Sequence, residues 1–153
     1  MEKTFVMLKP DALQRNLIGK IIQRFEEKGL KLVAIKMMQL DDKMLDVHYR
    51  QYLTKGFFPK LKQFMKSYPV VATVWEGKDA IKVVRTLVGA TNGREAAPGT
   101  IRGDLGMSIS CNMIHASDAP ETAKEEIERF FSANEIMAWD SIAFKLQYSE
   151  DEM

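Results

Sequence analysis

Apolar positions along this chain follow two alternating rhythms. Residues 3 to 9, KTFVMLK, form a nearly unbroken apolar run stopped by Pro10, the pattern of a buried first strand. Ile18, Ile21, Ile22 and Phe25 then recur at i, i+3, i+4 and i+7, one face of a helix that Gly29 ends. Residues 30 to 40, LKLVAIKMMQL, read as a second strand with apolar residues on both faces. Asp41 or Asp42 is placed to cap a helix carrying Met44, Leu45, His48, Tyr49, Tyr52 and Leu53 on one side. A short helical piece is expected around Leu61 to Met65, and PVVATVW, residues 69 to 75, is a third strand. Ala80, Val83, Val84, Leu87 and Val88 mark a further amphipathic helix. The rhythm then breaks over residues 89 to 107, GATNGREAAPGTIRGDLGM, where glycines and Pro98 predict an inserted loop. A loop of that length is usually functional or disordered. SISCNMIHAS, residues 108 to 117, is the fourth strand expected, followed by a helix from Pro120 to Phe131 with Ser117 or Asp118 as its cap. The acidic end, residues 150 to 153, is expected to fray.

Reduced to its largest elements, the order is β-α-β-β-α-β with inserts. That order predicts an α/β (α+β) fold of the ferredoxin-like type, a four-stranded antiparallel sheet with helices on one face. A length of 153 residues suits one domain spanning residues 1 to 153. The net charge of +1 argues against a general nucleic-acid or anionic-membrane binder, while leaving room for local phosphate sites. No apolar run is long enough to span a bilayer, and the apolar stretch near the N-terminus is too short for a signal peptide. The single cysteine, Cys111, excludes a disulfide within the chain and fits a reducing cytoplasm. Set among Ile109, Met113 and Ile114, it reads as a buried, inert thiol. Two histidines far apart in sequence and one cysteine form no zinc pattern.

The candidate chemistry gathers in the loop and the helix after it. Thr91, Arg94, Thr100, Arg102 and several glycine amides supply the hydroxyls, forks and N–H groups that a polyphosphate needs. Neither a P-loop nor a dinucleotide fingerprint is present, nor are protein-kinase signatures. On a helical wheel, Ala119, Ala123, Ile127, Phe130 and Phe131 share the inward stripe with Glu126, while Glu121, Lys124, Glu125, Glu128 and Arg129 point outward. A carboxylate on the buried face needs a partner, either a basic side chain or the ring N–H of His115. A carboxylate bound to one ring nitrogen leaves the other free as a nucleophile. His115 also precedes a helix N-terminus, which disfavours imidazolium and welcomes an anion. His48, on a stripe with Leu45 and Tyr52, reads as a packed histidine. Two look-alikes fail. His115, Ser117 and Asp118 lie too close in sequence for a hydrolytic triad, and KGFF at 55 to 58 is not continued as an RNA-binding signature.

The stretch Asn112–Met113–Ile114–His115–Ala116–Ser117–Asp118 resembles the N-x-x-H-[GA]-S-D signature of nucleoside diphosphate kinases. The resemblance extends through TFVMLKPDALQRNLIGKII, HYRQYLTKGFFPKL, ATVWEG and GATNGREAAPGTIRGDLG, in the family's order. The alanine after the histidine is a mild variation on a position that is often glycine. The resemblance implies that His115 takes the γ-phosphoryl group of a nucleoside triphosphate and passes it to a diphosphate, in a ping-pong cycle with Mg2+, with Nδ1 as the attacking atom. Glu126 matches the histidine-orienting glutamate, and Ser117 the residue that supports it. Arg85, Thr91 and Arg102 match phosphate ligands, and Lys9 and Asn112 match sugar ligands. Lys9 and Tyr49 match residues near the reacting phosphate. Phe57 matches the aromatic that stacks on the base, a contact that accepts every base. Magnesium is implied to be held mainly by nucleotide phosphates. A cytoplasmic homo-oligomer is implied, with a hexamer preferred over a tetramer on chain length. Two other classes share this outline: a catalytically silent relative that acts by interaction, and a ferredoxin-like nucleic-acid module. A silent relative would lack a key side chain, whereas Lys9, Arg85, Arg102, Asn112 and His115 are all present.

Overall fold

A computed structural model describes residues 1–152. Its sheet strands are β1 (Glu2–Leu8), β2 (Lys31–Met38), β3 (Val70–Gly77) and β4 (Ile114–Ala116). Between and after them lie helices α1 (Pro10–Gln14), α2 (Ile18–Glu27), α3 (Asp42–His48), α4 (Phe58–Lys66), α5 (Ala80–Val88), α6 (Ile101–Leu105), α7 (Pro120–Phe130) and α8 (Phe144–Gln147). The strands pair antiparallel in the order β2-β3-β1-β4, as the ferredoxin-like expectation requires. No helix among the described residues is long and apolar enough to cross a membrane.

The expectation of helices on one face is corrected. β1 and β3 are buried at nearly every position, so side chains of both parities need cover. Val6 and Leu8 pack with Ile21 and Phe25 of α2 and Val84 and Val88 of α5. On the opposite face, Phe5 and Met7 pack with Leu45, Met65, Phe130 and Phe131, residues of α3, α4 and the end of α7. The fully buried Trp75 donates to Thr73 Oγ1 at 2.9 Å, and that hydroxyl donates to the Val6 carbonyl at 3.0 Å. Its polar edge is thereby satisfied inside the core.

Four other expectations change. The strand foreseen at 108 to 117 shrinks to three residues, because Met113 adopts φ 65° and the backbone ahead of it is irregular. Cys111 therefore lies exposed instead of buried. The loop at 89 to 107 contains α6, capped by the Thr100 hydroxyl, which accepts from the Gly103 amide at 3.0 Å. The acidic end forms a 3-10 turn at Glu150–Glu152, held by Glu152 accepting from the Ser149 hydroxyl at 2.9 Å; Met153 lies outside the described residues.

Candidate active site

β4 pairs with β1 so that His115 lies opposite Met7, on the face that carries Phe5 and α7. From α7, the buried Glu126 reaches back, and its Oε1 lies 2.8 Å from His115 Nε2. Its Oε2 accepts from the Ser117 hydroxyl at 2.5 Å. The helical wheel thus placed Glu126 correctly. Ser117 and Asp118, however, do not cap α7. Ala119 occupies the cap position with no side-chain bond, Pro120 opens the helix, and the Ser117 hydroxyl is taken up by the carboxylate. Burial raises the Glu126 pKa, but the hydrogen bonds from His115 and Ser117, with the nearby imidazoles, bring it below the ordinary glutamate value. A carboxylate acceptor at Nε2 assigns the ring proton there and leaves Nδ1 with a lone pair.

A second cluster adjoins this pair. Lys9, just after β1, is buried and its ammonium donates to Asn112 Oδ1 at 2.7 Å. Asn112 in turn donates to the carbonyls of Thr91 at 3.1 Å and Ile109 at 2.9 Å. The turn between them is braced, since the Lys9 amide donates to the Met113 carbonyl at 2.8 Å and Asp11 Oδ2 accepts from the Met113 amide at 3.0 Å. Met113 needs that support, because a left-handed conformation is strained for a side chain of its size. Burial first, and the Arg102 charge second, lower the Lys9 pKa to about 8.

Arg102 is also buried, and its guanidinium donates to the carbonyls of Ile114 at 2.6 Å, Gly89 at 3.1 Å and Asn112 at 3.4 Å. It ties α6 to β4 and to the end of α5. Burial, then the charge of Arg85, lowers its pKa to about 10. Arg85 itself is exposed, reaching the Ala116 carbonyl at 3.5 Å, and Thr91 is exposed. A cleft of about 700 Å³ opens beside them, lined by Arg85, Thr86, Gly89, Ala90 and Asp118 among others; His115 is outside that lining.

On the other flank an aromatic series leads outward. The His48 ring lies 4.8 Å from that of His115 and 4.5 Å from that of Tyr49. Tyr49 stacks with Tyr52 at 6.0 Å, and Tyr52 meets Phe57 edge-on at 5.2 Å. Tyr49 is buried, which raises its pKa, while Phe57 is half exposed at the head of α4. All ten sequence-derived site residues therefore belong to one connected region around β4.

Sequence reasoning missed two members. His48 is buried as expected, yet it touches the site: its Nδ1 lies 3.2 Å from Arg129 Nη1 and 3.7 Å from Glu126 Oε1. Arg129, expected to face outward, turns inward along α7 to meet it. Its spacing of three residues from Glu126 was the available signal, because such residues are neighbours on a helix surface.

A metal ion would meet three donors at this site. His48, His115 and Glu126 offer ligand atoms within 4.8 Å of one another. Two imidazoles and one carboxylate already bonded to His115 and Ser117 do not suit magnesium, which demands oxygen donors in octahedral array.

The family model described as "Nucleoside diphosphate kinase" matches residues 2–136. A nucleoside diphosphate kinase of Archaeoglobus fulgidus is 56% identical over 140 residues, covering 92% of this chain and 93% of that protein. One from Saccharomyces cerevisiae is 50% identical over 147 residues, covering 96% of each. The solved structure of a halophilic nucleoside diphosphate kinase from Halobacterium salinarum in complex with CDP superposes with a TM-score of 0.94 at 47% identity, covering 97% of this chain and 99% of that one. The pairing of His115 with the buried Glu126, the lysine–asparagine–arginine cluster beside it and these likenesses agree, and the chain belongs to the nucleoside diphosphate kinase family.

Proposed function

We propose that this chain transfers the γ-phosphoryl group from a nucleoside triphosphate to a nucleoside diphosphate through a phosphohistidine at His115. The observation that carries this reading is the 2.8 Å contact between His115 Nε2 and Glu126 Oε1, which directs the free lone pair to Nδ1. In the first half-reaction, Nδ1 attacks the γ-phosphorus, an N–P bond forms, the P–O bond to the β-phosphate breaks and the diphosphate leaves. The proton stays on Nε2, where the Glu126 carboxylate balances the charge gained by the phosphorylated ring. In the second half, a β-phosphate oxygen of the acceptor attacks phosphorus and the N–P bond breaks. Donor and acceptor use one site in turn.

Phosphoryl transfer depends on positioning and charge stabilisation. Lys9, Arg85, Arg102 and Thr91 are the groups for the phosphates. Lys9 and Asn112 serve the sugar hydroxyls, Tyr49 the reacting phosphate, and Phe57 the base. Magnesium enters as part of the nucleotide substrate, held by its phosphates. The same proposal includes one domain spanning residues 1 to 153, a cytoplasmic location, which suits the exposed thiol of Cys111, and a homo-oligomer, a hexamer before a tetramer.

The test is intact mass after incubation with Mg-ATP and no acceptor. The expected result is one phosphoryl adduct that is acid-labile and absent from His115→Gln; a wild-type protein without an adduct would refute the proposal.

A further inference from the structure

We propose that Arg129 is a positioning residue for transfer: by donating to His48 Nδ1 it holds that ring as the Nε2–H tautomer, and so reserves Glu126 Oε1 for His115. The effect on transfer rests on the nucleophilic role of His115; the tautomer assignment does not.

The inference starts from what surrounds His48. Its side chain is 1% exposed and lies among Phe5, Tyr49, Phe130 and His115. Burial, with the charges of His115, Arg129 and Lys9 against the pull of Glu126, lowers its pKa to about 3. The ring is neutral and carries one proton. Nε2 has no partner, whichever nitrogen bears that proton, so Nε2 does not decide the tautomer. Nδ1 does. It lies 3.2 Å from Arg129 Nη1, a group that only donates. Glu126 Oε1, at 3.7 Å, is beyond hydrogen-bond reach. A proton on Nδ1 would face the guanidinium donor to donor, whereas a proton on Nε2 leaves Nδ1 free to accept.

The result bears on the nucleophile. With His48 turned into an acceptor, Glu126 Oε1 has one close imidazole donor, His115, at 2.8 Å, and Oε2 has Ser117. Remove the arginine, and Nδ1 can take the proton and swing toward the same oxygen. Two rings would then compete for one acceptor, and the angle of the His115 ring, hence of its Nδ1 lone pair, would loosen. Arg129 is itself anchored by Glu125 Oε2 at 3.7 Å, an oxygen that also takes Arg50 Nη2 at 3.1 Å from the segment after α3.

The chain contains just two histidines, so long-range 1H–15N spectra of histidine-labelled protein report two rings, and each nitrogen is read as protonated or bare. The expected wild-type spectrum shows His48 protonated at Nε2. Arg129→Met moves that proton to Nδ1, and Arg129→Lys, which keeps a donor, retains the wild-type form. In parallel, kcat falls by about tenfold in Arg129→Met with KM little changed, and Arg129→Lys recovers most of it. Wild-type His48 protonated at Nδ1, or no change of tautomer in Arg129→Met, overturns the proposal. A switched tautomer with unchanged kcat overturns the positioning role. The spectra need no substrate, so failure of phosphotransfer at His115 is seen separately, in the mass experiment.

Discussion

A glutamate as deeply buried as Glu126 would ordinarily hold its proton, because desolvation disfavours the charged form. Here two short hydrogen bonds reverse that, and the carboxylate orients the imidazole. Glu126→Gln keeps the shape but removes the charge that, in the proposed cycle, balances the phosphorylated ring. Single-turnover transfer should slow by about 10–100-fold while nucleotide Kd changes by less than about threefold. Equal losses in both would make Glu126 a packing residue. Lys9 brings a pH dependence. In the folded chain it titrates at about 8, against 10.5 for an ordinary lysine, with burial the largest cause. Above about 8 the native site loses the positive charge offered to phosphate, so kcat/KM should decline on the alkaline side, and Lys9→Gln should flatten that limb. Stability moves the other way. Between about 8 and 10.5 the unfolded chain binds the extra proton, so the Lys9 contribution to folding stability rises with pH across that window. Urea titrations of wild type and Lys9→Gln at both ends of the window check the sign.

At the scale of elements, α6 is the piece that gives the loop a fixed shape. Periodicity did not announce it, because five residues are too few to show a helical stripe. Arg102 holds it by giving three backbone carbonyls their donors. Gly89, at φ 83°, turns the chain out of α5 so that its own carbonyl is one of them. Arg102→Ala should therefore unfold more easily by about 3 kcal/mol, since buried carbonyls are left without partners, besides losing phosphate affinity. If chemical denaturation shows wild-type stability, the guanidinium serves ligand alone. The cap of α7 was misread for a related reason: Ser117 is a good cap residue by type, but Glu126 takes up its hydroxyl. The strand before His115 was overcalled because an apolar run does not reveal one left-handed residue, Met113, in its middle.

At the scale of the whole molecule, β2 is an outer strand of the sheet, with Ile35 and Met37 half or more exposed and alternating along it. Edge strands left apolar invite pairing with another chain. A second copy of this chain seated there is the expected first step of oligomer assembly. The double variant Ile35→Lys, Met37→Lys should sediment as a smaller species with its helix content intact; an unchanged assembly would place the contact elsewhere. The site lies at the other edge of the sheet, where β4 joins β1, so disrupting β2 should leave phosphorylation of His115 measurable.

Much of this was determined by the sequence alone. The order of the four strands and of helices α2, α3, α4, α5 and α7 follows from local periodicity, and so does the inward position of Glu126, because a helical face is set by spacing along one element. The signature around His115 was legible as a motif. Only the tertiary structure decided that both faces of the sheet are covered, that Cys111 is exposed, and that Lys9, Asn112 and Arg102 brace one another across about a hundred residues of chain. It also decided that His48 and Arg129 join the surroundings of His115 and Glu126. These depend on which elements meet and how closely, and spacing along a single chain does not encode distances between elements that come together only on folding.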